Sequence, residues 1–88
     1  MELQNNQVVQ LRNGIFGLVA SFNNKPLQLI FRSYTNPISR YDNNLKNKNP
    51  QYDIVKVFDG TSIEDGTKVF NRKFNADNLP VVWSEDEQ

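Results

Sequence analysis

Residues 8–31 read VVQLRNGIFGLVASFNNKPLQLIF, and this stretch decides the fold. Val9 and Leu11 alternate with polar neighbours, which is the period of two expected of a half-buried strand. The Asn13-Gly14 pair that follows tolerates positive φ and is the commonest signal for a short hairpin. The stretch therefore opens with a predicted β-hairpin.

Gly17 interrupts the next apolar run. A glycine inside a strand marks a bulge or a close approach of another group, and either feature suits a small sheet that curls on itself. The turn predicted at Asn23-Asn24-Lys25-Pro26 separates this second strand from a third. The apolar residues of the two strands are Ile15, Phe16, Leu18, Val19 and Phe22, then Leu27, Leu29 and Phe31.

A short helix is predicted from Pro37 to about Lys46. Asn36 suits the N-cap of a helix, and proline is favoured at the first helical position. The apolar face of this helix would carry Ile38, Tyr41 and Leu45, at helical spacing.

The second half of the chain shows weaker strand patterns. A strand is predicted over Tyr52–Phe58, with Asp53 facing outward, a short strand over Lys68–Phe70 and a last strand over Leu79–Trp83. Trp83 is expected to be anchored in the sheet. The whole pattern predicts a mainly β fold, a curled sheet or small barrel of five to six strands with one short helix.

Length and composition favour one domain over residues 1–88, with the ends at 1–7 and 84–88 frayed. The chain has no cysteine and no histidine, which excludes disulfides, thiolate chemistry and a histidine base. Because the chain starts with polar residues, no secretory signal is expected, and no apolar run approaches the ~20 residues of a membrane span. A cytoplasmic location is expected.

Three segments carry a family resemblance. Residues 8–19 (VxxLxNGxxGxV) resemble the opening of SH3-like barrels, including those of the KOW type. Residues 52–58 (YDIVxVF) and 79–83 (LPVVW) look like segments of small uncharacterised proteins of Gram-positive phages and mobile elements. The resemblance implies an SH3-like fold and a mobile-element origin. It implies no activity and no cofactor.

Two Asp-Gly-Thr triplets, at residues 59–61 and 65–67, are candidate cation ligands because carboxylate oxygens suit divalent metals. Their spacing fits no EF-hand, and two ordinary turns explain them. Catalysis would need an activated nucleophile or a matched acid–base pair, and no histidine or cysteine is present to form one. No catalytic, cofactor-binding or metal-binding residue is assigned, and the protein is not expected to be an enzyme.

One set of side chains suggests a binding surface. Basic side chains can contact the phosphates of a nucleic acid, and a tyrosine ring can stack on a base. Tyr41 is left out of this set because it is assigned to the apolar face of the predicted helix. Ten basic and ten acidic residues leave no net charge, which weakens this hypothesis. The candidate residues are Arg32, Tyr34, Arg40, Lys46 and Lys48.

The sequence thus favours a non-enzymatic interaction module of phage or mobile-element type that binds a protein partner or itself, without a membrane. The basic segment of one copy, residues 32–48, could pair with the acidic turns at Asp59 and Asp65 of a second copy, which is one route to self-association. The alternative function is weak nucleic-acid binding by the basic and aromatic surface of residues 32–48. The sequence does not identify the partner.

Overall fold

The computed structural model describes residues 1–87 and contains one antiparallel sheet of six strands in the order β4-β3-β2-β1-β5-β6. The strands are β1 (Gln7–Leu11), β2 (Phe16–Ala20), β3 (Gln28–Ile30), β4 (Thr35–Pro37), β5 (Ile54–Asp59) and β6 (Val81–Ser84). The prediction of a mainly β fold with five to six strands is confirmed. The described helices are 3₁₀ turns at Ile38–Arg40, Pro50–Tyr52, Gly66–Phe70 and Glu85–Glu87, and none is long and apolar enough to cross a membrane.

The two turns of the meander form as predicted because their residues accept left-handed backbone. Gly14 has a φ of +91°, and the amide of Leu11 donates to the carbonyl oxygen of Ile15 over 2.9 Å to close the first hairpin. Asn23 and Asn24 have φ values of +51° and +63° in the second turn. Asparagine tolerates this region better than most residues.

Gly17 marks a close approach and not a bulge. It lies opposite Val9 in an uninterrupted register between β1 and β2. The ring of Phe31 covers it so closely that a Cβ atom at residue 17 would lie 2.5 Å from a ring carbon. The glycine is therefore required by the aromatic ring that packs on it.

Both faces of the sheet are covered, and each face has its own core. Side chains alternate between the faces, so Val9 enters one core and Val8 the other. The buried residues of the first core are Leu3, Val9, Leu11, Val19, Leu29, Phe31, Tyr41, Leu45, Ile54 and Val57, with Trp83 partly buried against them. The buried residues of the second core are Val8, Phe58, Val69 and Ala76.

The prediction of a helix from Pro37 to about Lys46 is wrong. One 3₁₀ turn at Ile38–Arg40 ends at Tyr41, whose backbone is extended. The Asp42 carboxylate then accepts hydrogen bonds from the amides of Asn44 and Lys46, at 2.8 and 3.0 Å. These local bonds replace a helical ladder, as aspartate side chains often do. The apolar residues assigned to the helix still pack on the first core.

The segment at residues 68–70 and the two ends of the chain also differ from the predictions. Residues 68–70 belong to a 3₁₀ turn and not to a strand, and Val69 of this turn is buried in the second core. The ends expected to fray are partly packed: Leu3 is buried in the first core and Ser84 is buried at the end of β6. Gln88 lies outside the described residues.

Candidate functional site

One concave surface of the described residues is an apolar groove of about 870 Å³. The N-terminal segment, the turn between β2 and β3 and the segment that follows β4 form its walls. Apolar side chains provide most of its lining, with three charged side chains, one of them basic. We call it the apolar groove, and its apolar lining residues are Met1, Leu3, Pro26, Leu27, Pro37, Ile38, Tyr41 and Leu45.

Tyr41 and Leu45 form a fixed floor for the apolar groove. The Tyr41 hydroxyl donates to the carbonyl oxygen of Tyr52 over 3.0 Å, and burial raises the pKa of this phenol to about 12, so it stays neutral. Leu45 has a φ of +62°, which is a strained conformation for a bulky residue. Burial of its side chain in the first core offsets that strain.

A second surface is built around Tyr34, at the turn between β3 and β4. Its ring stacks on the buried ring of Phe31, with centroids 4.9 Å apart and an angle of 27° between the planes. The amide of Phe31 also donates to the carbonyl oxygen of Tyr34 over 2.8 Å. Tyr34 is 39% exposed, so one face of the ring is supported while the side chain remains open to solvent. Partial burial raises the pKa of Tyr34 above its ordinary value of 10.0, so the phenol is uncharged at neutral pH as an ordinary tyrosine is.

Two clefts meet at Tyr34, and its side chain lines both of them. The first cleft, of about 410 Å³, is rich in aromatic side chains and holds two arginines; we call it the aromatic cleft, and its lining includes Phe16, Phe31, Arg32, Phe70, Arg72 and Phe74. The second cleft, of about 440 Å³, is polar and holds two further cations; it is lined by Asn36, Arg40, Asn47, Lys48, Asn49 and Tyr52. We call the two clefts and the ring between them the Tyr34 surface.

Four of the five residues predicted for a binding surface lie on the Tyr34 surface. Tyr34, Arg40 and Lys48 line the second cleft, and Arg32 lines the first. Lys46 does not join them. Its Nζ atom lies 3.8 Å from Asp53 and 3.6 Å from Glu85, in an ion-pair network elsewhere on the chain.

That network corrects the expectation that Asp53 faces outward. Asp53 is 5% exposed and accepts a 2.8 Å hydrogen bond from the amide of Asn47. Arg12 joins its carboxylate at 3.2 Å and binds both oxygens of Glu85 at 2.9 Å. The hydrogen bond from Arg12 is the main reason that the pKa of Glu85 is lowered. A buried carboxylate needs such partners, and they come from distant parts of the chain.

Arg72 and Tyr52 also line the Tyr34 surface, and neither is among the residues predicted for it. Arg72 lies in the run Phe70-Asn71-Arg72-Lys73-Phe74, where two basic residues stand between aromatic ones. That run is a local signal of the same kind as the one at residues 32–34. Tyr52 could not be recognised in this way, because it lies 18 positions after Tyr34 and only the folded chain brings both residues to the same cleft.

The two Asp-Gly-Thr triplets use their carboxylates locally. Asp59 accepts a hydrogen bond from the amide of Thr61 at 2.9 Å, and Asp65 accepts from the amide and the hydroxyl of Thr67. These bonds lower the pKa of both aspartates. Each carboxylate therefore stabilises its own turn.

Comparisons with protein-family models, with curated proteins and with solved structures found no match to this chain. Its function has to be inferred from the two surfaces themselves.

Proposed function

We propose that this protein is a non-enzymatic interaction module that binds an apolar segment of a protein partner in the apolar groove. The observation that carries the proposal is the groove itself, about 870 Å³ of concave surface lined mainly by apolar side chains. Binding sites are typically concave and apolar, with a few polar groups that fix orientation. An exposed apolar surface of this kind in a small domain marks an interaction site.

The lining indicates the chemistry of the segment. Leu27 and Ile38 are only partly buried by the protein's own packing, so a ligand can still remove apolar area from water there. The charged side chains of the lining are Glu2, Lys25 and Asp42. One cation beside two carboxylates favours a partner segment that is neutral or slightly basic.

A different protein is favoured over a second copy of the chain. Self-association of a sheet commonly uses a free edge strand, and the two edges are β4 and β6. β4 has only three residues and ends in Pro37, and a short edge strand with a proline offers little to pair with. Pro80 precedes β6, and Val82 is extra in the pairing with β5, since Val81 and Trp83 lie opposite the adjacent residues Phe58 and Val57. Prolines and bulges are devices that discourage pairing between edges.

The proposal includes the absence of catalysis, because the chain has no histidine or cysteine to activate a nucleophile. A cytoplasmic location and a mobile-element origin belong to the same proposal. Fractionation of cells that express the tagged protein would test the location.

Selection of a random peptide library against the folded protein tests the groove directly. We expect the selected peptides to be rich in aliphatic and proline residues and poor in acidic ones. Ile38→Lys should weaken their binding at least about tenfold, because a charge in an apolar site is left without hydrogen-bond partners when the peptide excludes water.

Val82→Lys is the matched control. Val82 is an exposed apolar residue, 48% accessible, that lies on β6 and does not line the groove. Thermal unfolding of both variants shows whether they remain folded. Peptides that bind folded Ile38→Lys as tightly as the wild type would disprove the groove as the binding site.

A further inference from the structure

We propose that the Tyr34 surface is a second and independent binding site, which takes single-stranded nucleic acid. Bases would stack on Tyr34 and enter the aromatic cleft, while phosphates would contact the four cations around the ring. This site lies apart from the apolar groove, and its ligand belongs to a different chemical class.

The charge of the Tyr34 surface is one-sided although the net charge of the chain is zero. Arg32 and Arg72 line one cleft, Arg40 and Lys48 line the other, and neither lining includes an Asp or Glu among the side chains of residues 1–86. The ion pairs within 4.0 Å in the described part of the chain all belong to the network around Arg12 and Asp53. The four cations therefore keep their charge available for an anionic ligand.

The ring of Tyr34, at the centre of the Tyr34 surface, is already fixed in a position where a base could stack on it. Gly17 leaves room for the ring of Phe31, and Phe31 in turn supports the ring of Tyr34 at 4.9 Å. Because this support is buried in the first core, the tyrosine loses little freedom when a ligand stacks on it. A supported, partly exposed ring beside cations is the arrangement used to bind single strands without strong sequence preference.

The combination of rings and cations selects the ligand class. An acidic peptide would satisfy the four cations but would leave the aromatic cleft beside Tyr34 without a flat group to stack on. Duplex nucleic acid hides its bases, and the described residues form no helix longer than the five-residue 3₁₀ turn that could enter a major groove. A single strand presents phosphates and unstacked bases in alternation.

Fluorescence anisotropy with a labelled oligothymidylate and an oligouridylate of about ten nucleotides tests the proposal. We expect binding at low salt, with a slope of log affinity against log salt of about −3 if all four cations contact phosphates. Replacing Arg32, Arg40, Lys48 and Arg72 together by glutamine should abolish binding. Each single replacement should reduce the slope by about 0.7.

Tyr34→Ala should weaken binding by roughly 5- to 150-fold, the range measured for loss of one stacked base, whereas Tyr34→Phe should bind like the wild type. Lys46→Gln is the matched charge control, because Lys46 lies in the same segment but pairs with Asp53 and Glu85. It should leave the affinity unchanged. Near-ultraviolet circular dichroism of every variant establishes that the fold is intact.

Three results would overturn the proposal. The first is no binding to either oligonucleotide at low salt. The second is equal loss of affinity in Lys46→Gln and in Arg40→Gln, which would mean that overall charge alone drives binding. The third is displacement of the oligonucleotide by an equal length of polyglutamate together with an unchanged affinity of Tyr34→Ala, which would identify a general polyanion site.

Discussion

At the scale of single residues, Gly17 connects the core to the Tyr34 surface. The glycine sits in a regular strand pair, where a larger residue would have a better strand propensity. Its role becomes clear only from the ring of Phe31, which occupies the space where a side chain would start. The same ring supports Tyr34 from below. The absence of a side chain at Gly17 therefore leaves room for the ring of Phe31 and, through it, sets the position of the exposed ring of Tyr34.

We expect Gly17→Ala to destabilise the protein by about 1–3 kcal/mol, as for other overpacked cores, although alanine is intrinsically easier to order than glycine. The free energy of unfolding from urea denaturation measures the effect. The double variant Gly17→Ala/Phe31→Leu is the matched control, because a smaller side chain at residue 31 relieves the clash. Gly17→Ala should then destabilise the Phe31→Leu background less than the wild type. Equal losses in both backgrounds would show that Phe31 is not the reason for the glycine.

At the scale of elements, the segment after β4 shows how local hydrogen bonds decide between two backbone states. Its apolar spacing fits a helix, and Ile38, Tyr41 and Leu45 do pack on the first core. The carboxylate of Asp42 nevertheless bonds to two amides within the segment and gives a compact turn. The turn leaves Tyr41 and Leu45 as the floor of the apolar groove, which a regular helix would have shaped differently.

The 3₁₀ turn that begins at Glu85 is tied to the β1–β2 hairpin through Arg12, and this tie gives a pH dependence. The pKa of Glu85 is lowered in the folded protein from its ordinary value of 4.5, mainly by the hydrogen bond from Arg12. The stability from this carboxylate is therefore fully present above about pH 4.5 and is lost as the pH falls through the lower folded pKa. We expect wild type to exceed Glu85→Gln in unfolding free energy at neutral pH, and the difference to disappear in acid.

Urea denaturation at a series of pH values measures this difference. Glu64→Gln is the control, because Glu64 is exposed and takes part in no ion pair with the side chains of residues 1–86; its stability should run parallel to that of the wild type. Asp59 and Asp65 also have lowered pKa values, and their loss of stability in acid is common to all three proteins. A constant difference between wild type and Glu85→Gln down to the acid limit would contradict the role of the Arg12 bond.

At the scale of the whole molecule, two cores share one sheet. The radius of gyration is 11.9 Å, close to the roughly 12 Å expected of a compact chain of this length. The first core lies under the apolar groove and the Phe31–Tyr34 stack, and the second core is covered by the residues between β5 and β6. β1 is central and contributes fully buried residues to both cores, so the cores should unfold together.

We expect Val8→Ala and Val9→Ala each to destabilise the protein by about 2 kcal/mol, from two lost methyl groups and the cavity they leave. Val8 belongs to the second core and Val9 to the first, and both are fully buried. The fluorescence of Trp83, which reports the first core, and circular dichroism of the sheet should give coincident unfolding curves in both variants. In Val8→Ala, loss of the dichroism signal before the fluorescence changes would show that the two cores are separate cooperative units.

The sequence by itself determined the features that depend on neighbouring residues. Gly14, Asn23 and Asn24 accept the left-handed backbone that their turns require. The period-two pattern around Val9 fixes which side chains share a face. Sequence also marked Arg32, Tyr34, Arg40 and Lys48 by their chemistry. These signals need no knowledge of the rest of the chain, because the steric and hydrophobic preferences behind them act over a few residues.

Tertiary structure decided the features that depend on contacts between residues far apart in the chain. Asp53 is buried because Arg12 and the amide of Asn47 meet its carboxylate, and Lys46 leaves the predicted surface because it joins that network. Arg72 reaches the Tyr34 surface from another element. The free energy of placing a charge depends on which groups and how much water surround it after folding. The order of residues does not specify that environment directly, so only the folded chain separates Lys46, which pairs internally, from the cations that line the two clefts.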